Sequence, residues 1–252
     1  MRLHLLRLGS LEVDKGAVLT PGSGDGETIT IPVPAYVIET DGGQRVLIDT
    51  GSNRRHIGNP DATFGGMSQA DQIRVSMTAQ DDPRARLGEL GLDASDIDIL
   101  VATHFHFDHS GNLADFGQSR IVAQREAYEL AKSGYEPYNR DPWDLPHLHY
   151  ELIDGDTELA PGVELLTTGG HAPGHMSVLV DLPKTGSVIL AVDAIAMLEN
   201  LQTGNWQVAA DPAQAAVSAA RLANLAESKG ALLLTGHDPQ QWAAFGDVTT
   251  LE

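Results

Sequence analysis

The stretch Ile97-Asp98-Ile99-Leu100-Val101-Ala102-Thr103-His104-Phe105-His106-Phe107-Asp108-His109 decides the reading of this chain. Its first half is a short apolar run with β-branched residues, the pattern of a buried strand. Its second half packs three imidazoles and a carboxylate into six residues at the end of that strand. Polar groups at a buried edge need partners or they cost free energy. Neutral imidazole and carboxylate are the ligand set of zinc and comparable divalent ions, so the hexapeptide reads as a metal site. In an extended chain His104, His106 and Asp108 would project the same way. The Gly-containing turn Ser110-Gly111-Asn112 would then let Asp108 and His109 face a second ion beside the first.

Outward from this stretch, apolar and β-branched runs bounded by turn residues predict nine strands. These are Leu3–Leu8, Ile31–Thr40, Arg45–Asp49, Ile97–Thr103, Arg120–Ala123, Gly162–Thr168, Ser177–Leu182, Ser187–Val192 and Ala231–Thr235. Helices are predicted at Asp82–Leu90, Gln124–Lys132 and Pro212–Lys229, the last with Asp211 as N-cap, Pro212 in the first turn and Gly230 beyond its end. Thr20–Glu27 and Ser52–Gly66 read as loops, either of which could cover a site. Strands in two batches, each followed by helix, favour a β-sandwich flanked by helices over an alternating doubly wound sheet.

Composition narrows the function. In 252 residues, 35 acidic side chains stand against 16 basic ones, a formal net charge of −19. Phosphate recognition rests on clustered Lys and Arg, so this balance argues against a nucleic-acid partner. There is no cysteine, which leaves His, Asp and Glu to hold any metal. No apolar run approaches a membrane span, and Met1–Gly9 is too short and interrupted for a signal peptide. The expectation is one domain over residues 1–252, soluble and cytoplasmic, with no membrane partner; a homodimer is left open.

More metal-binding side chains follow apolar runs elsewhere: His171 and His175 in Gly169-Gly170-His171-Ala172-Pro173-Gly174-His175, Asp193 after Val188–Val192, and His237-Asp238 after Leu232–Gly236. Singly, each could equally be a turn signal; their recurrence after strands points to ligands. Asp49, in Asp49-Thr50-Gly51, fits either an Asx turn or a carboxylate that orients a metal-bound histidine.

Together, the HxHxDH hexapeptide, the later His171, Asp193 and His237, and the early Asp-Thr-Gly resemble the metallo-β-lactamase superfamily. Within it the chain is similar to the N-acyl homoserine lactonases, through Gly170-His171-Ala172-Pro173-Gly174-His175 and Gly236-His237-Asp238. The likeness runs from about Leu3 to His237. It implies an α+β fold, a four-layer αββα sandwich, with His104, His106 and His171 on one ion, Asp108, His109 and His237 on the other, and Asp193 bridging. His175 and Asp49 would support the ligands. The ions would be zinc first, with iron, cobalt or manganese as alternatives, and would hold a bridging hydroxide that opens the lactone of an N-acyl homoserine lactone, the quorum-quenching reaction. Asp108 would also shuttle a proton to the leaving oxygen. The alternatives are hydrolysis of another lactone, ester, thioester or phosphotriester, or a metal-binding module without chemistry.

One departure stands out. The lactonases carry a tyrosine three residues after the bridging aspartate, and here that position is Ala196. Tyr36, Tyr135, Tyr138, His147, His149 and Trp206 are candidates to replace it. Phe64, Met67, Phe107, Trp143, Met197, Leu198 and Trp206 could wall an acyl pocket or pack the core; Phe107, between two ligands, is the expected substrate contact.

Overall fold

The computed structural model describes residues 1–65, 72–135 and 143–252; Gly66, Met67 and Tyr138 lie outside them. The elements in chain order are β1 (Arg2–Asp14), α1 (Lys15–Val18), β2 (Thr28–Glu39), β3 (Arg45–Ile48), β4 (Ile73–Ser76), α2 (Pro83–Glu89), β5 (Ile99–Val101), β6 (Arg120–Gln124) and α3 (Arg125–Lys132). They continue with β7 (His149–Ile153), β8 (Thr157–Ala160), β9 (Val163–Thr167), β10 (Met176–Leu182), β11 (Gly186–Val192), α4 (Leu198–Thr203), α5 (Pro212–Lys229), β12 (Leu232–Thr235), α6 (Pro239–Trp242) and β13 (Val248–Leu251). One sheet runs β13-β1-β2-β3-β5-β6-β7, with β4 also on β1; the other runs β12-β11-β10-β9-β8.

The strands read as unbroken apolar runs because both faces of each sheet are covered. Val46 and Ile48, Ile99 and Val101, Val178 and Val180, and Val188 and Leu190 point into the core between the sheets. Their alternates Leu47 and Leu100 face the outer layer on one side. On the other side Leu179 and Ile189 meet Ala219 and Leu222 of α5. Helix, sheet, sheet and helix therefore stack as the expected four layers.

Thirteen strands are present among the described residues, against nine predicted. The four unforeseen ones, β4, β7, β8 and β13, all lie at sheet edges. An edge strand with a wet face carries too many polar residues to form an apolar run, as Arg74, His149, Glu158 and Thr249 illustrate. Predicted helices agree within a residue of the observed ends, and α5 matches its predicted span, with Asp211 Oδ1 accepting from the Ala213 and Gln214 amides.

The start of α5 docks on the loop that carries His171. Asp211 N–H donates to the Gly170 carbonyl at 2.9 Å and Ala210 N–H to the His171 carbonyl at 3.2 Å. Gly170 has φ +126°, and a Cβ there would lie 2.2 Å from the Ala215 amide nitrogen. Only glycine allows that approach. Gly170→Ala is expected to cost more than about 2 kcal/mol, lowering the melting midpoint by roughly 5 °C or more. The comparison is Gly186→Ala, at a hairpin with φ +83° and open space around the missing Cβ, which should cost only about 1–2 kcal/mol of backbone strain. Equal losses in thermal melts would show that the α5 contact adds nothing.

Candidate metal centre

Strand ends from both sheets meet at one rim of the sandwich: Asp49 after β3, His104 to His109 after β5, His171 and His175 after β9, Asp193 after β11 and His237 after β12. The Met176 N–H to Thr103 carbonyl bond, 3.0 Å, ties the two sheets together there. β5 is shorter than predicted, ending at Val101, and the chain does not stay extended through Asp108. It turns at His106, whose carbonyl accepts from the His109 and Ser110 amides at 3.1 and 3.0 Å and from Ser110 Oγ at 3.0 Å. The bend expected at Ser110-Gly111-Asn112 thus comes earlier and divides the hexapeptide.

Two groups of side chains result that could each hold a metal ion: His104, His106, His171 and Asp193 in one, and Asp108, His109 and His237 in the other, with the donor atoms of each group within 4.8 Å of one another. His106 Nδ1 lies 3.0 Å from both His104 Nε2 and His171 Nε2. Asp193 faces both groups. Its Oδ2 is 3.1 Å from His171 Nε2 and 3.7 Å from His104 Nε2, while its Oδ1 is 3.0 Å from His237 Nε2 and 3.4 Å from His109 Nε2. His109 Nε2 and Asp193 Oδ1 are buried without a hydrogen-bond partner. A ring nitrogen and a carboxylate oxygen facing each other in this way are both satisfied by a divalent cation between them, so the residues fit metal ions.

Outward hydrogen bonds aim the rings. Asp49 accepts from the Thr103 amide at 2.9 Å, the Thr103 hydroxyl at 2.8 Å and His109 Nδ1–H at 2.8 Å. Because the Thr103 proton goes to Asp49, Thr103 Oγ1 is left to accept from His104 Nδ1–H, 3.1 Å away. One carboxylate therefore fixes two imidazoles, leaving their Nε2 atoms turned inward. His237 Nδ1–H donates to the Pro32 carbonyl at 2.8 Å. Asp49 itself sits at φ +61°, a left-handed conformation that aspartate tolerates.

His175 is placed differently. The Asp193 amide donates to its Nε2 at 3.2 Å, so its proton is on Nδ1, facing Thr168 Oγ1 at 2.9 Å. Thr168 then donates to Ser177 Oγ, and Ser177 to the Ala191 carbonyl, each at 2.8 Å. Both ring nitrogens are committed, and burial, helped by the neighbouring His171, pushes its pKa down to about 3. It holds the backbone of Asp193 in place. Val192, just before, has φ +50°, a genuine outlier for a β-branched residue and a place where backbone strain aims the next side chain.

The electrostatics divide the cluster. Burial, then the charges of neighbouring histidines, hold His104 and His106 well below the ordinary imidazole range. Burial acts the same way on His109 and His237, but Asp193 and Asp108 outweigh it and raise both, His109 the more. Burial alone would raise the Asp193 carboxyl; His109, His237 and His171 hold it well below its usual range.

Phe107 is half-buried and packs edge-on against Phe64 at 4.9 Å. Trp143 packs against Phe105, the two rings tilted by 48° with centroids 4.8 Å apart. Of the described candidates for the missing phenol, only Trp206 lines a cavity with His171, Asp193 and Ala196. Tyr36 is buried between the sheets beside Trp242, Tyr135 packs on the outer core, His147 faces the Ala114 carbonyl and His149 is exposed on β7. Thr103, Thr168 and the Pro32 carbonyl went unseen in the sequence, where nothing marks a threonine or a main-chain oxygen as a partner of a distant histidine.

Two measurements test this geometry. Asp49→Asn should weaken metal retention against a chelator by roughly tenfold to hundredfold; parental retention would reduce Asp49 to a turn residue. Since the carboxylates raise His109 and His237 and so favour their protonated forms, an ion binding there competes with protons, and affinity rises with pH and falls on acidification. Calorimetric titration in two buffers of different ionisation enthalpy should show release of about one to two protons per chain near neutral pH; identical apparent enthalpies would mean both imidazoles are already neutral.

A model of the metallo-beta-lactamase superfamily matches residues 29–237. The N-acyl homoserine lactonase AiiA of Bacillus thuringiensis subsp. kurstaki is 34% identical over 243 residues, covering 95% of this chain and 94% of its own. The N-acyl homoserine lactonase AttM of Azorhizobium caulinodans is 33% identical over 264 residues, covering 97% and 96%. A solved N-acyl homoserine lactone hydrolase with the product N-hexanoyl-L-homoserine at its catalytic metal centre superimposes with a TM-score of 0.90 at 32% identity, over 97% of this chain and 96% of that one. The chain belongs to the metallo-β-lactamase superfamily, in the company of its N-acyl homoserine lactonases.

Proposed function

We propose that the protein is a metal-dependent hydrolase that opens the ring of N-acyl homoserine lactones, a quorum-quenching activity, with two divalent ions per chain, zinc before iron, cobalt or manganese. The observation that carries this reading is the likeness to N-acyl homoserine lactonases over 95% of the chain and 94% of theirs. His104, His106 and His171 would hold one ion, Asp108, His109 and His237 the other, and Asp193 would give one carboxylate oxygen to each. Bound there, the ions supply a hydroxide nucleophile at neutral pH and polarise an ester carbonyl. The proposal covers a single hydrolase domain over residues 1–252 working in the cytoplasm; no described helix is long and apolar enough to cross a membrane.

The chain's own groups do the remaining work. Asp108 Oδ2 lies 3.5 Å from His109 Nε2 and 3.8 Å from His237 Nε2, at the edge of its group. From there it would carry a proton to the departing ring oxygen, whose release as an alkoxide is otherwise unfavourable. Phe107 and Phe64 would offer the acyl chain an apolar wall, and Asp49 and His175 would keep the donors aimed.

The test is pH-monitored ring opening of short- and long-chain homoserine lactones by the metal-quantified protein, with His106→Ala as control. Fast opening that depends on metal and is lost in His106→Ala is the expected result. No opening with two metals bound would move the function to another ester, thioester or phosphotriester. Asp108→Asn should lose roughly 100-fold or more in kcat; a variant that binds two metals and turns over at the parental rate would remove the shuttle.

A further inference from the structure

Beside the metal centre is a cavity of about 20 Å³ whose walls include His171, Asp193, Ala196, Trp206, Leu19 and Val208. His171 and Asp193 belong to the metal-binding group, Ala196, Trp206, Leu19 and Val208 are apolar, and Asn200 and Asn205 also border the cavity. The volume is that of a single small group, so no acyl chain enters it.

The walls are held in place by their backbone and by a latch. The Ala196 carbonyl accepts from the His237 amide at 2.7 Å, which fixes the main chain while leaving the methyl free to line the cavity. Asn200 Nδ2 donates to the Leu19 carbonyl and Asn205 Nδ2 to the Pro21 carbonyl, at 3.0 and 2.9 Å. Glu199 receives Lys15 Nζ at 2.7 Å and Ser23 Oγ at 2.8 Å. The loop after α1 is thereby clamped over α4, and the cavity is a fixed feature of the fold.

Resting on the lactonase reading, we propose that this cavity, shaped by Ala196 and Trp206, is a specificity pocket for one small alkyl substituent on the ring carbon that bears the lactone oxygen. The choice of carbon follows from size. In the proposed substrate the carbon next to the carbonyl already carries the acylamino group, far too large for the cavity, and the oxygen-bearing carbon is the other one adjoining the ester. The substrate class thus widens to γ-alkyl lactones. A bulky residue at position 196 would close the pocket.

The experiment compares γ-butyrolactone with γ-valerolactone, which differ by one methyl on that carbon, using the metal-loaded full chain and its Ala196→Leu and Ala196→Val variants. The parent should favour the methylated ring by roughly tenfold or more in kcat/KM, the worth of one methyl in an apolar pocket. Ala196→Leu should abolish that preference and Ala196→Val reduce it. As a readout free of turnover, the matching γ-methyl lactam should perturb the fluorescence of the parent, lose that effect in Trp206→Phe, and bind the leucine variant at least tenfold more weakly. Equal handling of both rings by the parent, or a preference unchanged in both variants, overturns the pocket while leaving the lactonase reading intact. If the parent opens neither ring nor any acyl homoserine lactone, the lactonase reading fails and the pocket with it.

Discussion

A buried carboxylate at the junction of two sheets is the constraint on which the rest depends. Asp193 is 8% exposed, and its two oxygens face four imidazoles between them. Burying an unpaired charge costs far more than a domain's spare stability. The fold therefore has to bring cationic partners to that point from several strands at once, and the sandwich does so by ending β5, β9, β11 and β12 at the same rim.

This explains how the supporting residues are disposed. Hydrogen bonds on the far side of the His104, His109 and His237 rings, to Thr103, Asp49 and the Pro32 carbonyl, aim their Nε2 atoms inward. Local rules of backbone comfort give way here: Asp49 and Val192 both adopt positive φ, and they are the only non-glycine residues among those described to do so. Strain concentrated at two residues that flank the centre is stabilised by the packed sheets on either side.

Much of this was legible in the sequence. Strands covered on both faces announce themselves as apolar runs, and the seven side chains that meet at the rim follow such runs, which is why the sandwich and the residues gathered at its rim are legible without coordinates. The edge strands were hidden because solvent on one side dilutes their apolar pattern. The turn at His106 was missed because a serine hydroxyl and a main-chain carbonyl make it, and neither leaves a mark in composition. Thr103 and Pro32 were invisible for the same reason, while Trp206 was one of six candidates until the fold placed it beside Ala196.

His175 carries a last consequence. The chain has ten histidines, and the one standing nearest the centre beyond the five inward-facing rings has both nitrogens engaged, one by the Asp193 amide and one by Thr168. The others, His4, His56, His147 and His149, bond or sit elsewhere in the molecule. The centre therefore has no reserve. A donor lost to mutation cannot be replaced by a neighbour swinging in, so drift at these positions meets a cliff, and new chemistry on this scaffold has to come from the walls of the cavity and the loops above it.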